Sequence, residues 1–209
     1  MIDLEPELLD AQGAVFTQDW DRLDDVCRYV LERDPKNRWA MATLIQALLQ
    51  NDQPKEAQDI GAEMVRIYPD NELSYVRFAE SYDGAGDHAR ANEIIRQGLK
   101  AIPDSQRLRY FDLVTAFDAK QEGVCTSLVP AAVADYPDVA SMRLMVARCA
   151  LAAGETRDAL EALGEAVRRG FRDFDSLLET DDFATLAEDP RFLYLRRVVE
   201  EGSEQGGSS

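Results

Sequence analysis

The sequence has 209 residues, of which 45% are hydrophobic and 30% charged, a balance typical of globular proteins. Its 40 acidic and 23 basic residues give a net charge of −17, which opposes binding to a nucleic-acid backbone. No apolar run is long enough to cross a membrane, and the start, MIDLEPELLDAQ, lacks the basic and apolar segments of a secretory signal. We therefore expect neither nucleic-acid binding nor membrane insertion.

Prolines recur along the chain with a period of 34 residues. Pro35, Pro69, Pro103 and Pro137 follow this spacing, and the next step reaches Phe171. Between them, apolar residues recur every three or four positions, which predicts two helices in each period. The first helices of the pairs are predicted at 37–50, 71–83, 105–118 and 139–152, and the second at 54–67, 87–101, 122–135 and 156–169. A pair this short cannot bury its apolar face alone, so neighbouring pairs must stack.

The turns between paired helices carry their own sequence pattern. Seventeen residues before each closing position stand Gln18, Asp52, Gly86, Lys120 and Gly154. Glycine at this place suits the left-handed conformation that ends a helix. Asp52, Asp87 and Thr156 are then predicted to cap the second helices, which the recurring proline ends.

Two places depart from the repeat. The pair before Pro137 has Arg109 and Asp112 in core positions, and a one-residue slip that uses Leu108 and Phe111 would repair part of this. Pro130 lies inside the second helix of the same pair and is expected to kink or shorten it. After Phe171 the period stops. Short helices are predicted near 174–179 and 182–187, and a last helix from Pro190. Their apolar residues would cover the end of the stack: Phe174, Leu177, Leu178, Phe183, Leu186, Phe192 and Leu195.

The period and its residues resemble the tetratricopeptide repeat family. The third unit fits its pattern best, with Tyr75, Phe78, Ala79, Tyr82, Gly86, Ala91 and Pro103 in the family positions. The resemblance implies an all-α, right-handed superhelical solenoid of about five antiparallel helix pairs. The repeat array would occupy residues 1–171. A helical C-terminal cap of the kind seen in bacterial repeat proteins would occupy residues 172–201, and a flexible tail would occupy residues 202–209.

In proteins of this family the first helices line a concave groove that holds an extended peptide or a partner helix. By position, the resemblance implies that the groove of this chain is lined by Trp39, Gln46, Val76, Arg77, Glu80, Arg107, Tyr110, Phe111, Leu144 and Arg148. Aromatic residues and arginines are the side chains that interface hot spots favour. Arg77 and Arg148 are expected to pair with carboxylates of the partner, and Trp39, Tyr110 or Phe111 to bury apolar side chains. The same residues could also be a solvated surface, or the aromatics part of the core.

The sequence offers no site for chemistry. GAGDHA, residues 84–89, matches a dinucleotide fingerprint, but a predicted helix precedes it where that motif needs a strand. His88 is the single histidine and has no companion for a zinc site or a nucleophile. We therefore predict no catalytic residue, no cofactor and no metal.

Cys27, Cys125 and Cys149 form neither an even set of disulfide partners nor a C-x-x-C pair. We expect these three cysteines to be reduced, which predicts a cytoplasmic location.

The function predicted is that of a non-catalytic scaffold, adaptor or assembly factor that binds a protein or peptide. Two alternatives remain: a structural protein that self-associates into a homo-oligomer, and a regulator that senses a small peptide or metabolite. An enzyme is the weakest alternative, because no nucleophile–base pair or metal cluster emerges.

Overall fold

The computed structural model describes residues 5–206, which form thirteen helices and no strand. In chain order the helices are α1 (Glu5–Thr17), α2 (Trp20–Arg33), α3 (Arg38–Gln50), α4 (Pro54–Ile67), α5 (Glu72–Asp83), α6 (His88–Ala101), α7 (Gln106–Asp118), α8 (Glu122–Asp135), α9 (Ala140–Ala152), α10 (Thr156–Arg168), α11 (Phe174–Leu178), α12 (Asp181–Ala184) and α13 (Pro190–Gly206). The chain divides into two compact units, Met1–Thr115 and Ala116–Ser209, and α7 crosses the boundary between them.

The eight helices that the period predicts are all present, each beginning and ending within one residue of its predicted bounds. The predicted fold class, all-α with antiparallel helix pairs in sequence order, is confirmed. Beyond the repeats, α13 continues five residues past the predicted end of the cap at 201. The last three residues of the predicted tail lie outside the described part of the chain.

The residue two places after four of the five closing positions caps the next helix with its side chain; the exception is Val139, which follows Pro137. Asn37 accepts a hydrogen bond from the Ala40 backbone N–H, and Asn71 accepts one from that of Leu73, both at 3.0 Å. Ser105 caps α7 and Asp173 caps α11 in the same way. Each side chain satisfies a backbone donor that a helix start otherwise leaves without a partner. The proline-containing segment therefore both ends one helix and starts the next.

Two of the three predicted caps of second helices are wrong. Asp87 caps α6 by accepting from the Arg90 backbone N–H at 3.0 Å, as predicted. Asp52 instead lies in the turn before the cap position, which Gln53 occupies. Thr156 is the first residue of α10 and not its cap. Pro130 does not shorten its helix, since α8 runs from Glu122 to Asp135 through it.

One left-handed residue ends the first helix of every pair. Gln18, Asp52, Gly86, Lys120 and Gly154 all have positive φ, between 54° and 80°. Three of these five residues have side chains, although the left-handed region costs an L-residue about 1–2 kcal/mol. The spacing of 34 residues is thus maintained by backbone geometry even where glycine is missing. The one-residue slip in the pair before Pro137 is excluded, because Lys120 has a positive φ at the position that the 34-residue period predicts.

Exchanging residues at this turn should change stability in opposite directions within the second unit. We expect Lys120→Gly to raise the free energy of unfolding by about 1 kcal/mol, because glycine removes the strain of the left-handed conformation. Gly154→Ala should lower it by about as much, although nothing lies within 4 Å of the added Cβ. Urea denaturation of both variants measures the two changes in the free energy of unfolding. Changes of the same sign would contradict the conclusion that Lys120 and Gly154 share the left-handed conformation.

The core of the first unit consists of two apolar clusters formed where consecutive helices pack. Leu23, Leu44, Ile45, Leu48 and Met64 belong to the cluster of α1–α4, and each is at most 2% exposed. The second cluster joins α5, α6 and the start of α7: Tyr75, Val76, Ala79, Ala91, Ile94, Ile95 and Leu108. These helices pack in the order of the sequence, as stacked pairs require.

Asp112 occupies a core position of α7 and is only 5% exposed. Asn92 Nδ2 donates to its Oδ1 at 2.9 Å, and Arg96 Nε donates to the same oxygen at 3.1 Å. Asn92 Nδ2 also lies 2.9 Å from Thr115 Oγ1. A buried carboxylate is tolerated when such donors surround it. The polar residue that disturbs the sequence pattern is therefore compensated by a second polar residue on α6.

In the second unit, α10, α11, α12 and α13 enclose one apolar cluster with α9. All seven apolar residues predicted to close the stack belong to this cluster or pack against it. Phe174 meets Phe192 edge to face, with ring centroids 5.3 Å apart. The predicted role of the C-terminal helices as a cover for the last repeat agrees with this packing.

The second unit also contains a disulfide bond between Cys125 on α8 and Cys149 on α9, whose Cα atoms are 5.8 Å apart. The prediction that all three cysteines are reduced is therefore wrong. Cys125 stands at the position where second helices carry small residues to approach the next first helix closely. Close approach brings the two sulfur atoms within bonding distance. The argument for a cytoplasmic location, which rested on reduced cysteines, loses its basis.

Candidate partner-binding face

The predicted groove residues of the first unit lie on α3, α5 and the first turns of α7. We call this set, without Val76, the first-helix face: Trp39, Gln46, Arg77, Glu80, Arg107, Tyr110 and Phe111. Trp39 is 38% exposed, which is large for a tryptophan, and Gln46 is half-buried. An indole with this exposure offers an apolar plane and one N–H donor to a partner.

Val76 is not available to a partner. Its side chain is 3% exposed and belongs to the apolar cluster of α5, α6 and α7. Ala42, at the same position of α3, is likewise buried, and α3 packs against α5. This position therefore serves contact between neighbouring first helices in the first unit, and its assignment to the groove surface is corrected.

Arg77 already has a carboxylate partner on its own helix. Its Nη1 donates to Glu80 Oε2 at 2.6 Å, and both side chains are about one-third exposed. An ion pair at this degree of exposure contributes about 0–1 kcal/mol, because water and salt screen it. A carboxylate from a partner could therefore replace Glu80 at small cost. Arg77 could thus pair with a carboxylate of a partner, as the sequence predicts, but only in exchange for its bond to Glu80.

Glu72 ties the start of α7 to the start of α5. Ser105 Oγ donates to Glu72 Oε2 at 2.5 Å, and Arg107 Nε lies 3.4 Å from the other carboxylate oxygen. Next on α7, Tyr110 and Phe111 meet edge to face with centroids 5.6 Å apart, and both are half-buried. Phe111 packs against the apolar cluster, so only part of its ring can contact a partner. The face thus combines fixed aromatic rings with exchangeable charges.

The two groove residues predicted in the second unit contact other parts of the same unit. Leu144 packs against the C-terminal apolar cluster. Arg148 Nε donates to Asp182 Oδ2 at 2.6 Å, and its guanidinium lies 4.3 Å from the centre of the Phe117 ring. Asp182 belongs to α12, which packs against α9. Helix α12 of the C-terminal cap therefore supplies the carboxylate that the resemblance assigned to a partner of Arg148.

The repeat period contains a signal that could have identified this contact. Asp182 follows Arg148 by 34 residues, and Leu178 follows Leu144 by the same interval. The segment α11–α12 therefore takes the position of a sixth first helix, even though its closing proline is missing. From its apolar residues alone, the sequence predicts only that this segment covers the end of the stack.

Side chains that could carry chemistry are dispersed. Within residues 5–206, no group of three or more histidine, cysteine or acidic side chains is arranged to hold a metal ion. His88 Nδ1 lies 2.6 Å from Asp83 Oδ1 at the turn between α5 and α6, where GAGDHA forms the predicted turn. Among the described helices, none combines the length and apolar character needed to span a lipid bilayer.

Comparison with known sequences points to one family. A sequence model described as tetratricopeptide repeat matches residues 25–75. The uncharacterized protein y4yS of Sinorhizobium fredii is 32% identical over 93 residues, which make up 44% of this chain and 51% of y4yS. The chain therefore matches about half the length of this curated relative.

Solved structures show the same fold at low sequence identity. TTC0263, a thermophilic TPR protein of Thermus thermophilus, superposes with a TM-score of 0.67 at 16% identity, covering 85% of this chain and 96% of TTC0263. MamA from Desulfovibrio magneticus gives 0.63 at 17% identity, covering 82% and 97%. YrrB, described as a TPR protein with an unusual peptide-binding site, gives 0.58 at 12% identity, covering 84% and 91%.

Proposed function

Because the chain is a tetratricopeptide repeat protein, we propose that it is a non-catalytic module that holds a protein or peptide partner against the first-helix face of its first unit. The observation that carries the proposal is the exposure of Trp39, and the repeat positions assign Trp39 and the Arg77–Glu80 pair to the same lining of first helices. Large aromatic residues and arginines dominate binding energy at interfaces. The fold likeness to YrrB, a peptide-binding repeat protein by its description, supports the same class of activity.

The partner that this face suits has an apolar side chain and a carboxylate. The apolar side chain would cover the Trp39 indole or the exposed edges of Tyr110 and Phe111. The carboxylate would replace Glu80 at the Arg77 guanidinium, and Glu80 would then return to water. Since the chain carries a net charge of −17, an acidic partner gains attraction only at such local arginines.

Substitution on this face should abolish capture of the partner. We expect the variant Trp39→Ala, Arg77→Glu, Tyr110→Ala to retain less than about one-tenth of a partner that the parent protein captures, because two hot-spot residues together exceed about 1.4 kcal/mol. The measurement is quantitative mass spectrometry of proteins captured from the source lysate. A circular dichroism melt confirms that the variant is folded.

The matched control changes the same residue types elsewhere in the first unit. Tyr29→Ala and Arg66→Glu alter an exposed aromatic and an exposed arginine outside the first-helix face. This control should capture the partner as the parent does. Equal capture by parent, control and face variant would exclude the face as the binding surface.

A cytoplasmic location is now a separate proposal. Denaturing source cells in acid and then alkylating the free thiols tests it, because a cytoplasmic pool would keep the buried Cys125 and Cys149 largely reduced.

A further inference from the structure

A groove between α10 and α13 in the second unit is open and mostly apolar. It encloses about 470 Å³. Leu160, Leu195 and Tyr194 line it, together with Pro190 at the start of α13. Gly164 also lines the groove and leaves space there, because it has no side chain. A Cβ at this residue would lie 3.8 Å from Leu195 Cδ2. Tyr194 is 56% exposed, so an aromatic wall of the groove faces solvent.

The charges around this groove are unusual for so acidic a chain. Arg157, Arg168 and Arg191 line it with a single acidic residue, Glu161. Arg168 pairs with Glu165, and Arg191 pairs with Asp189. Both arginines are exposed to solvent, so these ion pairs contribute little stability. Arg157 has no ion-pair partner within the part of the chain that the structure describes. The groove therefore favours an apolar group that arrives with negative charge.

The chain carries a group of this description at the end of α1. Phe16 is 90% exposed, and its neighbour Val15 is 45% exposed. Both lie in the last turn of α1, where helix carbonyl groups give a partial negative charge. Asp19 and Asp21 follow at once, and Arg22 beside them pairs with Asp10 of α1, so these four side chains leave a net negative charge at the end of α1. An almost fully exposed phenylalanine in an acidic setting indicates a contact surface.

We propose that the end of α1 in one copy of the protein docks into the α10–α13 groove of a second copy. Phe16 would enter between Tyr194 and Leu160, and the acidic residues after it would face Arg157. The two surfaces match in both respects, apolar to apolar and negative to positive, so a second copy supplies a complementary occupant. The inference is independent of the proposed function, because it uses no residue of the first-helix face.

This contact would be heterologous. Each copy presents one α1 end and one α10–α13 groove, so the two partners in a contact use different surfaces. A copy with only one of the two surfaces intact can still associate once. This property separates the proposal from a symmetric dimer.

The test is sedimentation velocity over a concentration series from about 1 µM to about 500 µM, the range of weak contacts. Wild-type protein should associate with increasing concentration at constant ionic strength. Phe16→Asp and Tyr194→Asp should each weaken association about tenfold or more. Leu193→Asp is the matched control, since Leu193 is 47% exposed on α13 but does not line the groove. It should associate as wild type does.

Mixing the two variants decides the geometry. Phe16→Asp keeps its groove and Tyr194→Asp keeps its Phe16, so an equimolar mixture should form dimers and nothing larger. Failure of the mixture to form dimers would overturn the head-to-tail contact. Monomeric wild type at every concentration, or association unchanged by Phe16→Asp, would overturn the proposal as a whole. Both substituted residues are exposed, so circular dichroism should show folded variants.

Discussion

Loss of the Cys125–Cys149 bond is expected to lower the free energy of unfolding of the second unit by about 3 kcal/mol. The bond links residues 24 apart in sequence and so restricts the unfolded chain. Both cysteines are at most 1% exposed, so the fold itself holds them together. Urea denaturation of wild type and of the Cys125→Ala, Cys149→Ala variant measures the difference. Alanine is a suitable replacement because Ala57 and Ser81 occupy the same two repeat positions in the first unit.

Thiol counting provides the control for this prediction. Burial and the nearby Asp24 carboxylate raise the pKa of Cys27 to about 12, so its thiol stays protonated and unreactive at neutral pH. Native protein should therefore show no reactive thiol, denatured protein one, and denatured and reduced protein three. Three thiols in denatured protein without a reductant would contradict the disulfide.

Gly61→Ala should destabilise the first unit by about 2 kcal/mol, although alanine is the better helix former by about 1 kcal/mol. A Cβ on Gly61 would lie 2.7 Å from Phe78 Cδ2 and 2.9 Å from Phe78 Cα. The second contact is with backbone, which no change of side-chain rotamer can relieve. Helices α4 and α5 would have to separate, and the buried surfaces between them would lose contact.

Gly13→Ala in α1 is the control for Gly61→Ala. Nothing lies within 4 Å of a Cβ at Gly13, so alanine there should stabilise by about 0.5–1 kcal/mol. Thermal and urea denaturation of both variants, in the same unit, compare the two effects directly. If Gly61→Ala also stabilised, α4 and α5 could not approach as closely as the structure has them.

Helix bounds were predictable from sequence because local residues determine them. A proline ends the second helix, Asn37, Asn71 or Ser105 caps the next first helix, and a left-handed residue separates the two helices of a pair. These interactions span a few residues and repeat along the chain. Even Gln18 and Lys120, which do not favour the left-handed region, take the conformation that this position of the period requires.

The candidate site was predicted less well because it depends on distant partners. Periodicity places Val76 on a first helix but does not reveal that its side chain packs into the apolar cluster of α5, α6 and α7. It identifies Arg148, but the carboxylate that pairs with it is harder to find, since the segment of Asp182 lacks the closing proline of the other units. Asp112 looked like a defect because the donor Asn92 stands on another helix. Each error concerns a side chain whose neighbour is more than ten residues away in sequence.

The ion pair between Arg148 and Asp182 has a consequence for how this protein can change in length. The two residues are one period apart, as are the capping residues Asn37, Asn71 and Ser105. Packing within each unit joins a helix to its immediate successors. Duplication or loss of a whole 34-residue segment would therefore recreate the same set of neighbours, while any other length would remove a cap or a turn. Viable insertions and deletions in the repeats should thus come in multiples of one period.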